Sequence, residues 1–240
     1  MGELIVMSFN IGHGKTREGT VSLERAARVV EESGAGLVGL QDVDRYCPRS
    51  YFDDQARVLA KWLSMYYAFV PAGRLPGRLG SGLALLSRYP VIHHTSHRLN
   101  FKTDLALQRA AIDFDGIRVT CLNASLRATE SASSEACRGI LAICRSLRTP
   151  AVLTIDAGLE GSGPTGAFWQ DAGSRCEDVM KSPLRHSRPR GGIFVSPHWE
   201  LNGSRVYRTA WSANWPLIAV ASLPPQQDRQ DPAAGDEKAP

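Results

Sequence analysis

Hydrophobic and polar positions follow two different periods along the chain, and the change of period marks the predicted elements. Residues 23–33 carry apolar side chains at helical spacing, with Ser22 as the expected N-cap and Gly34 as the stop. Residues 4–9 alternate as a strand does. The same patterns predict helices from Asp53 or Asp54 to Leu63 and over 131–147, and strands at 37–40, 66–70, 82–87, 107–114, 117–123, 151–155, 192–196, 204–209 and 216–222.

The order of these elements indicates the fold class. Asp115-Gly116 is a good two-residue turn between the strands at 107–114 and 117–123, so these two strands are predicted to form a hairpin. Hairpins mixed with a few helices favour an α/β protein, a four-layer sandwich in which two packed, mostly antiparallel β-sheets are flanked by helices. We expect one domain over residues 1–223, followed by a disordered polar tail at 224–240.

Composition excludes some classes of protein and leaves others open. No apolar run reaches 18 residues, and the opening MGELIVMSFNIG lacks the basic segment and cleavage site of a secretory signal. The 5 cysteines are dispersed and form no C-x-x-C pair, which argues against a disulfide framework or a zinc site and favours the cytoplasm. The net charge of +4 permits an anionic ligand without requiring one.

Four segments resemble a known group of proteins when they are taken together and in order. They are MSFNIGHG, LVGLQDVDR, SGLALLSRYPV and GIFVSPHW. These segments resemble the first strand, the L-Q-E-V-D segment, the G-N-A-I-L-S-R-Y-P-I strand and the I-D-Y-I-F-V-S-P strand of the endonuclease/exonuclease/phosphatase superfamily, which has the DNase I-like fold. The resemblance runs over most of residues 3–222.

The resemblance implies the architecture of a metal-dependent phosphoesterase. In that superfamily the site lies where strand ends meet at one end of the sandwich. A carboxylate holds Mg²⁺, Asn and His side chains bind the phosphate, an Asp activates water, and a His paired with an Asp lies opposite. Mg²⁺ prefers hard oxygen ligands, and the transition state needs donors around its charged oxygens.

Four residues of this chain match the superfamily's site. Asn10 occupies the position of the first Asn, where it could contact phosphate or tie a strand end to a loop. Asp42 replaces the metal-binding Glu with an arm one methylene shorter, so that we expect a weak Mg²⁺ site or none. Asn123 matches the Asn of N-T-H-L, and Asp156 matches the water-activating Asp of G-D-F-N.

Five further positions hold residues that cannot do the superfamily's chemistry. Ser125 replaces a His, Gly158 replaces a phosphate-binding Asn, and Gly191 replaces a carboxylate. Ala213 and Asn214, in WSANWP, replace an Asp and its proton-handling His. An Asn side chain does not titrate near neutral pH, so it cannot act as a general acid or base.

Several basic residues are candidates for anion binding. Arg109 occupies a position where many members of the superfamily carry a basic residue near the phosphate, although a salt bridge would also explain it. Arg188 and Arg190 belong to a basic loop that the fold is expected to place near the same cleft. The histidines within residues 91–99 point to different faces if that segment is a regular strand, which disfavours a metal site there.

Three functional hypotheses follow. The leading one is a catalytically degenerate member of the superfamily, a pseudoenzyme with a binding or assembly role, and with no cofactor. The second is a weak or repurposed Mg²⁺-dependent phosphodiesterase or phosphatase that uses Asp42 and Asp156, with His186 or a substrate group in place of the missing base. The third is a nucleic-acid-binding module that uses the loop arginines. The sequence names no protein partner.

Overall fold

The structure, a computed structural model, describes residues 2–16, 18–72, 80–99, 105–126, 130–156, 177–178, 191–209, 212 and 214–224. Within these ranges the chain forms two six-stranded sheets. The first sheet has the spatial order β11 (Glu200–Val206), β12 (Leu217–Ser222), β1 (Glu3–Asn10), β2 (Leu37–Arg45), β4 (Gly80–Ser87) and β3 (Tyr66–Pro71). The second has the order β5 (Val91–Arg98), β6 (Ala106–Phe114), β7 (Ile117–Ser125), β8 (Ala151–Asp156), β10 (Gly191–Val195) and β9 (Glu177–Asp178).

Three α-helices in the described ranges complete a four-layer arrangement: α1 (Leu23–Ser33), α2 (Gln55–Leu63) and α3 (Glu130–Ser146). One apolar cluster joins the outer face of the first sheet to α1 and α2, and a second cluster joins the second sheet to α3. A third cluster fills the space between the sheets. The predicted four-layer α/β sandwich is confirmed. None of the helices in the described part of the chain has the length and apolar character needed to cross a membrane.

Local sequence explains how several elements begin and end. Gly34 ends α1 in the left-handed conformation, with φ of 73°, as expected of a C-terminal glycine. Asp115 and Gly116 both have positive φ, which the predicted two-residue hairpin turn requires. Asp54 caps α2 by accepting a hydrogen bond from the Arg57 backbone N–H at 3.2 Å. Ser22 precedes α1, but its hydroxyl donates to the Glu24 carboxylate instead of capping the helix.

The prediction failed at the exposed edge strands. β11 covers Glu200–Val206, although the sequence pattern predicted a strand at 204–209, and β5 was not among the predicted strands. Most side chains of both strands are exposed or half-buried, so that apolar alternation, the signal used for prediction, is weak there. Residues 225–240, which include nearly all of the predicted tail, lie outside the described residues.

Strand direction decides where a site can form. β1 pairs with β2 in parallel, and β7 pairs with β8 in parallel, whereas the other pairs are antiparallel. Asn10 is therefore opposite Gln41 in the middle of β2, and Ser125 is opposite Asp156. Asn10, Ser125 and Asp156 are the last residues of β1, β7 and β8. The two sheets pack so that these ends meet at one end of the sandwich, since Asn10 and Asp156 are hydrogen-bonded to each other.

Candidate functional site

The centre of the strand-end site is the side-chain amide of Asn10, the last residue of β1. Its Nδ2 donates to the Asp42 carboxylate at 2.8 Å and to the Asp156 carboxylate at 2.5 Å. Its Oδ1 accepts from the Gly12 backbone N–H at 2.8 Å. One amide therefore bridges two carboxylates that come from different sheets. Asn10 and Asp156 are buried, whereas Asp42 is half-buried at the rim.

Asn214 completes this network from the segment before β12. Its Nδ2 lies 3.1 Å from Asn10 Oδ1 and 3.3 Å from the Asn10 backbone carbonyl, and it donates to both. Its own backbone N–H donates to the hydroxyl of the buried Ser212. The structure thus places Asn214 at the site, where it holds Asn10. Ala213 and Trp211, its neighbours in WSANWP, lie outside the described residues.

A bulge in β2 presents Asp42 to the site. The pairing of β2 with β4 shifts between Leu40 and Val43, and Asp42 has a φ of 52°. A positive φ is uncommon for a residue with a side chain, although Asp tolerates it better than most, and bulges often reorient a side chain near a functional site. The bulge turns the carboxylate toward Asn10, where a regular strand would continue its pairing with β4.

Asn123 lies in this region, but it is not available to a ligand. Its side chain is fully buried between the sheets, and its amide makes five hydrogen bonds of 2.8–3.2 Å. It donates to the carbonyls of Leu40 and Ala84 and to Gln108, and it accepts from Gln41 and Thr154. The predicted catalytic role of Asn123 must therefore be corrected, because its polar atoms are used to join the two sheets.

The other substituted positions fall partly within the described residues. Ser125 is half-buried at the end of β7, directly opposite Asp156 in the register. Gly191 begins β10 and is opposite Asp156 on its other side. Both positions therefore flank the buried carboxylate, and neither supplies a titratable side chain. Gly158 lies outside the described residues.

A second polar cluster lies beside the site, and sequence analysis missed it. Asp44 has a fully buried side chain, and Arg49 donates to its two carboxylate oxygens at 2.7 Å each. His13 Nδ1 lies 2.9 Å from Asp44 Oδ1. Burial alone would raise the pKa of Asp44, but the hydrogen bonds from Arg49 and His13 hold that pKa well below its usual value. The second Asp of LQDVDR was the available signal.

The anion-binding candidates do not gather at this site in the described residues. Arg109 lies on β6 next to Gln108, whose side chain is buried between the sheets and bonds to Asn123 and to the Ala68 carbonyl. Adjacent strand residues face opposite sides, so Arg109 faces the outer side of the second sheet. This location corrects the expectation that Arg109 lies near the strand-end carboxylates. Arg188 and Arg190 lie outside the described residues.

The residues present fit a bound Mg²⁺ poorly. Mg²⁺ needs octahedral oxygen ligands at about 2.0–2.1 Å, and Asn10 turns an N–H donor toward both carboxylates. Rotating the amide would point its NH₂ at two other donors, the Gly12 N–H and the Asn214 NH₂. In the described ranges, no three His, Cys, Asp or Glu side chains come together in a group that could hold a metal ion.

Comparisons with known proteins bear on the fold. No family model matches the chain, and no curated protein is significantly similar to it in sequence. Among solved structures, the endonuclease/exonuclease/phosphatase from Bacteroides vulgatus is 16% identical with a TM-score of 0.75, and the alignment covers 93% of this chain and 100% of that one.

Two other solved structures are similar to a comparable degree. The human Nocturnin catalytic domain with bound sulfate anion is 16% identical with a TM-score of 0.70, covering 92% of this chain and 94% of that one. The mannosyl-6-phosphatase of Bacteroides thetaiotaomicron is 16% identical with a TM-score of 0.66, covering 92% and 100%. At these identities the likeness is one of fold, and the chain has the endonuclease/exonuclease/phosphatase (DNase I-like) fold.

Proposed function

We propose that this chain is a catalytically degenerate protein of the endonuclease/exonuclease/phosphatase fold, whose sandwich serves binding or assembly and not phosphoester hydrolysis. One observation carries the proposal. The Asn10 amide donates to the Asp42 and Asp156 carboxylates at 2.8 and 2.5 Å, the two groups expected to serve metal and water. In this network the carboxylates already have a donor between them.

Displacing that donor has a cost that a cation would have to offset. Asn10 makes two hydrogen bonds to carboxylates and accepts two more, from Gly12 and from Asn214. Hydrogen bonds to charged groups contribute about 1.5–3 kcal/mol each. Coordination by both carboxylates would break the first pair, so we expect Mg²⁺ affinity to be at least tenfold weaker than the carboxylates alone would give.

Proton transfer is the second consideration. The positions that flank Asp156 or hold Asn10 are occupied by Ser125, Gly191 and Asn214, none of which carries a group that titrates near neutral pH. Loss of a general acid or base costs about 10²–10⁴ in rate, and loss of a donor to the developing charge costs about 10²–10³. These losses are not simply additive in free energy, but together they support the proposal.

A weak Mg²⁺-dependent hydrolase is the competing function, and one observation favours it. Asp42 and Asp156 both contact the same nitrogen atom, so a cation at that point would reach both carboxylates. A solved protein of the same fold, from Bacteroides thetaiotaomicron, is named as a mannosyl-6-phosphatase. The nucleic-acid-binding hypothesis stays a prediction, since Arg188 and Arg190 lie outside the described residues.

The decisive experiment uses Asn10→Ala together with the unaltered chain. Calorimetry measures Mg²⁺ and Mn²⁺ binding, and hydrolysis of bis(p-nitrophenyl) phosphate and p-nitrophenyl phosphate measures activity. If the amide competes with the cation, Asn10→Ala should tighten metal binding about tenfold or more, because two charge-assisted hydrogen bonds no longer have to be broken. We expect neither the unaltered chain nor Asn10→Ala to show divalent-dependent turnover above that of Asp156→Asn.

The controls separate the two functions. Asp113→Asn removes a carboxylate near a hairpin turn on β6 and should change neither measurement. Loss of metal binding in Asn10→Ala would identify Asn10 as a ligand and would support the hydrolase. Divalent-dependent turnover that Asp156→Asn abolishes would overturn the pseudoenzyme proposal outright.

A further inference from the structure

A cleft of about 500 Å³ lies on the outer face of the second sheet, away from the strand-end site. β5, β6 and β7 form its floor, and the segment that follows α3 forms one wall. Three arginines line it, Arg109, Arg118 and Arg148, together with His93 and His97 of the edge strand. The cleft is within the size range of sites for small-molecule ligands, about 300–1,000 Å³.

The charge of this cleft is unbalanced. Within the part of the chain that the structure describes, no acidic side chain lines it, and no carboxylate lies within 4 Å of a guanidinium nitrogen of its three arginines. Asp113 is the carboxylate opposite Arg118 in the strand register, and it accepts a hydrogen bond from the Gly116 N–H. Three guanidinium groups around one cleft repel one another, and an anion between them would remove that repulsion.

The position of Arg109 is the least expected of the three. It lies in the middle of β6, half-buried, on a face where its neighbours Leu107 and Ala111 are buried apolar residues. Arg118 and Arg148 are exposed, so solvation of the surface would explain them. Arg148 also follows the C-terminal end of α3, where the helix dipole favours a positive charge. Neither role explains an arginine in the middle of a sheet strand, since the same face elsewhere packs against α3.

Hydroxyl groups add neutral donors to the same surface. The Thr120 and Thr149 hydroxyls lie 2.8 Å apart, and both residues line the cleft. Thr95 is directly opposite Arg109 across the β5–β6 ladder and also lines it. Arginine forks bind phosphate oxygens in pairs, and hydroxyls commonly bind the remaining oxygens. Among the described residues, the two imidazoles are the only aromatic rings that line the cleft, and no Phe, Tyr or Trp there offers a surface for stacking on a purine or pyrimidine base.

We propose that this outer cleft is a binding site for a small diphosphate or polyphosphate anion, held by Arg109, Arg118 and Arg148. Three cations suit a ligand with more than one phosphate group better than a single phosphate. The ligand is either an inorganic polyphosphate or a nucleotide, and both present linked phosphate groups to the arginines. The site is independent of the proposed loss of catalysis, because it uses none of the strand-end residues.

The test is calorimetry with inorganic pyrophosphate at low ionic strength, in EDTA so that no metal participates. We expect saturable binding that Arg109→Gln weakens by about tenfold or more, since a charged hydrogen-bonding group is lost. Arg148→Gln, at an exposed position where folding is not at risk, should also weaken it. Arg57→Gln, an exposed arginine on α2, is the matched control and should leave binding unchanged.

The outcomes are distinguishable. Pyrophosphate and adenosine diphosphate binding with similar Kd would indicate recognition of the phosphates, and much tighter binding of the nucleotide would indicate that it is the ligand. Absence of pyrophosphate and nucleotide binding at millimolar concentration overturns the proposal. Equal weakening by Arg57→Gln would show nonspecific charge attraction. Tighter binding by Asp156→Asn, which removes a negative charge, with no change in Arg109→Gln would place the anion at the strand-end site and overturn the proposal.

Discussion

Replacing Asn123 tests the claim that its amide ties the two sheets together. In Asn123→Ala the three acceptors, the carbonyls of Leu40 and Ala84 and the Gln108 side chain, each lose a donor. The two donors to Asn123 are less affected, because Gln41 keeps other acceptors, the Ser8 hydroxyl and the Gly39 carbonyl, and the Thr154 hydroxyl keeps the Leu122 carbonyl.

The expected loss of stability follows from the number of acceptors left without a donor. A buried acceptor left without its donor costs about 1–3 kcal/mol. The Leu40 and Ala84 carbonyls belong to residues that pair with each other in the β2–β4 ladder, so we place them at the low end of that range. The space vacated by the amide is polar, so a water that enters it would recover part of the loss. We therefore expect Asn123→Ala to lower the free energy of unfolding by about 2–4 kcal/mol, a large share of the usual 5–15 kcal/mol.

Urea unfolding followed by circular dichroism and tryptophan fluorescence measures this change. Asn123→Asp is the sharper variant, because at neutral pH it places a carboxylate oxygen where the NH₂ faced three acceptors, and it should destabilise more than Ala does. Asn202→Ala is the matched control, since Asn202 donates only to exposed partners on the surface, and it should cost less than about 0.5 kcal/mol. If both Asn123 variants lower the free energy of unfolding by less than about 1 kcal/mol, the Asn123 amide does not contribute to holding the two sheets together.

Two further predictions concern packing and acid stability. Gly39→Ala should lower the free energy of unfolding in urea by about 2 kcal/mol or more, because the added Cβ would lie 1.9 Å from the Thr154 hydroxyl. Gly203→Ala, with no atom within 4 Å of its Cβ, should cost far less. Equal costs would contradict the close approach of the two sheets at Gly39. Asp44 has a lowered pKa in the folded state, so its stabilising contribution is present above about pH 4 and is lost as the pH falls below that value. Arg49→Gln should therefore shrink the difference between urea midpoints at pH 7 and pH 3, and an unchanged difference would show that this ion pair does not contribute to the acid response.

The buried part of the fold could be predicted because burial leaves a periodic pattern in the sequence. α1 begins and ends where its apolar period and Gly34 place it, and β8, whose residues are all buried, is mostly apolar. The edge strands β5 and β11 are exposed and carry no such pattern, so one was missed and the other was misplaced. Pairing with a neighbouring strand stabilises them, and that depends on the tertiary structure.

The candidate site was only partly predictable, and the reason lies in orientation. Residue type and order pointed to Asn10, Asp42, Asp156 and Asn214, and hydrogen bonds join these residues in the structure. The direction in which an amide points is decided by groups distant in sequence. Asn123 faces the inter-sheet space because its partners lie on β2, β4, β6 and β8, and no local pattern shows that.

The same distinction separates the residues that the fold alone explains from those that bear on the proposed loss of catalysis. Asn123 has its amide saturated by protein groups, so folding alone explains its presence. Ser125 and Asn214 are half-buried, and neither side chain supplies a proton-transfer group near neutral pH. Among the described residues, the proposed loss of catalysis therefore depends on Asp42, Asp156 and the Asn10 amide between them. As long as that amide bridges the carboxylates, a cation and this hydrogen-bond network compete for the same oxygens, and the relative strength of the two determines whether a divalent cation can bind there.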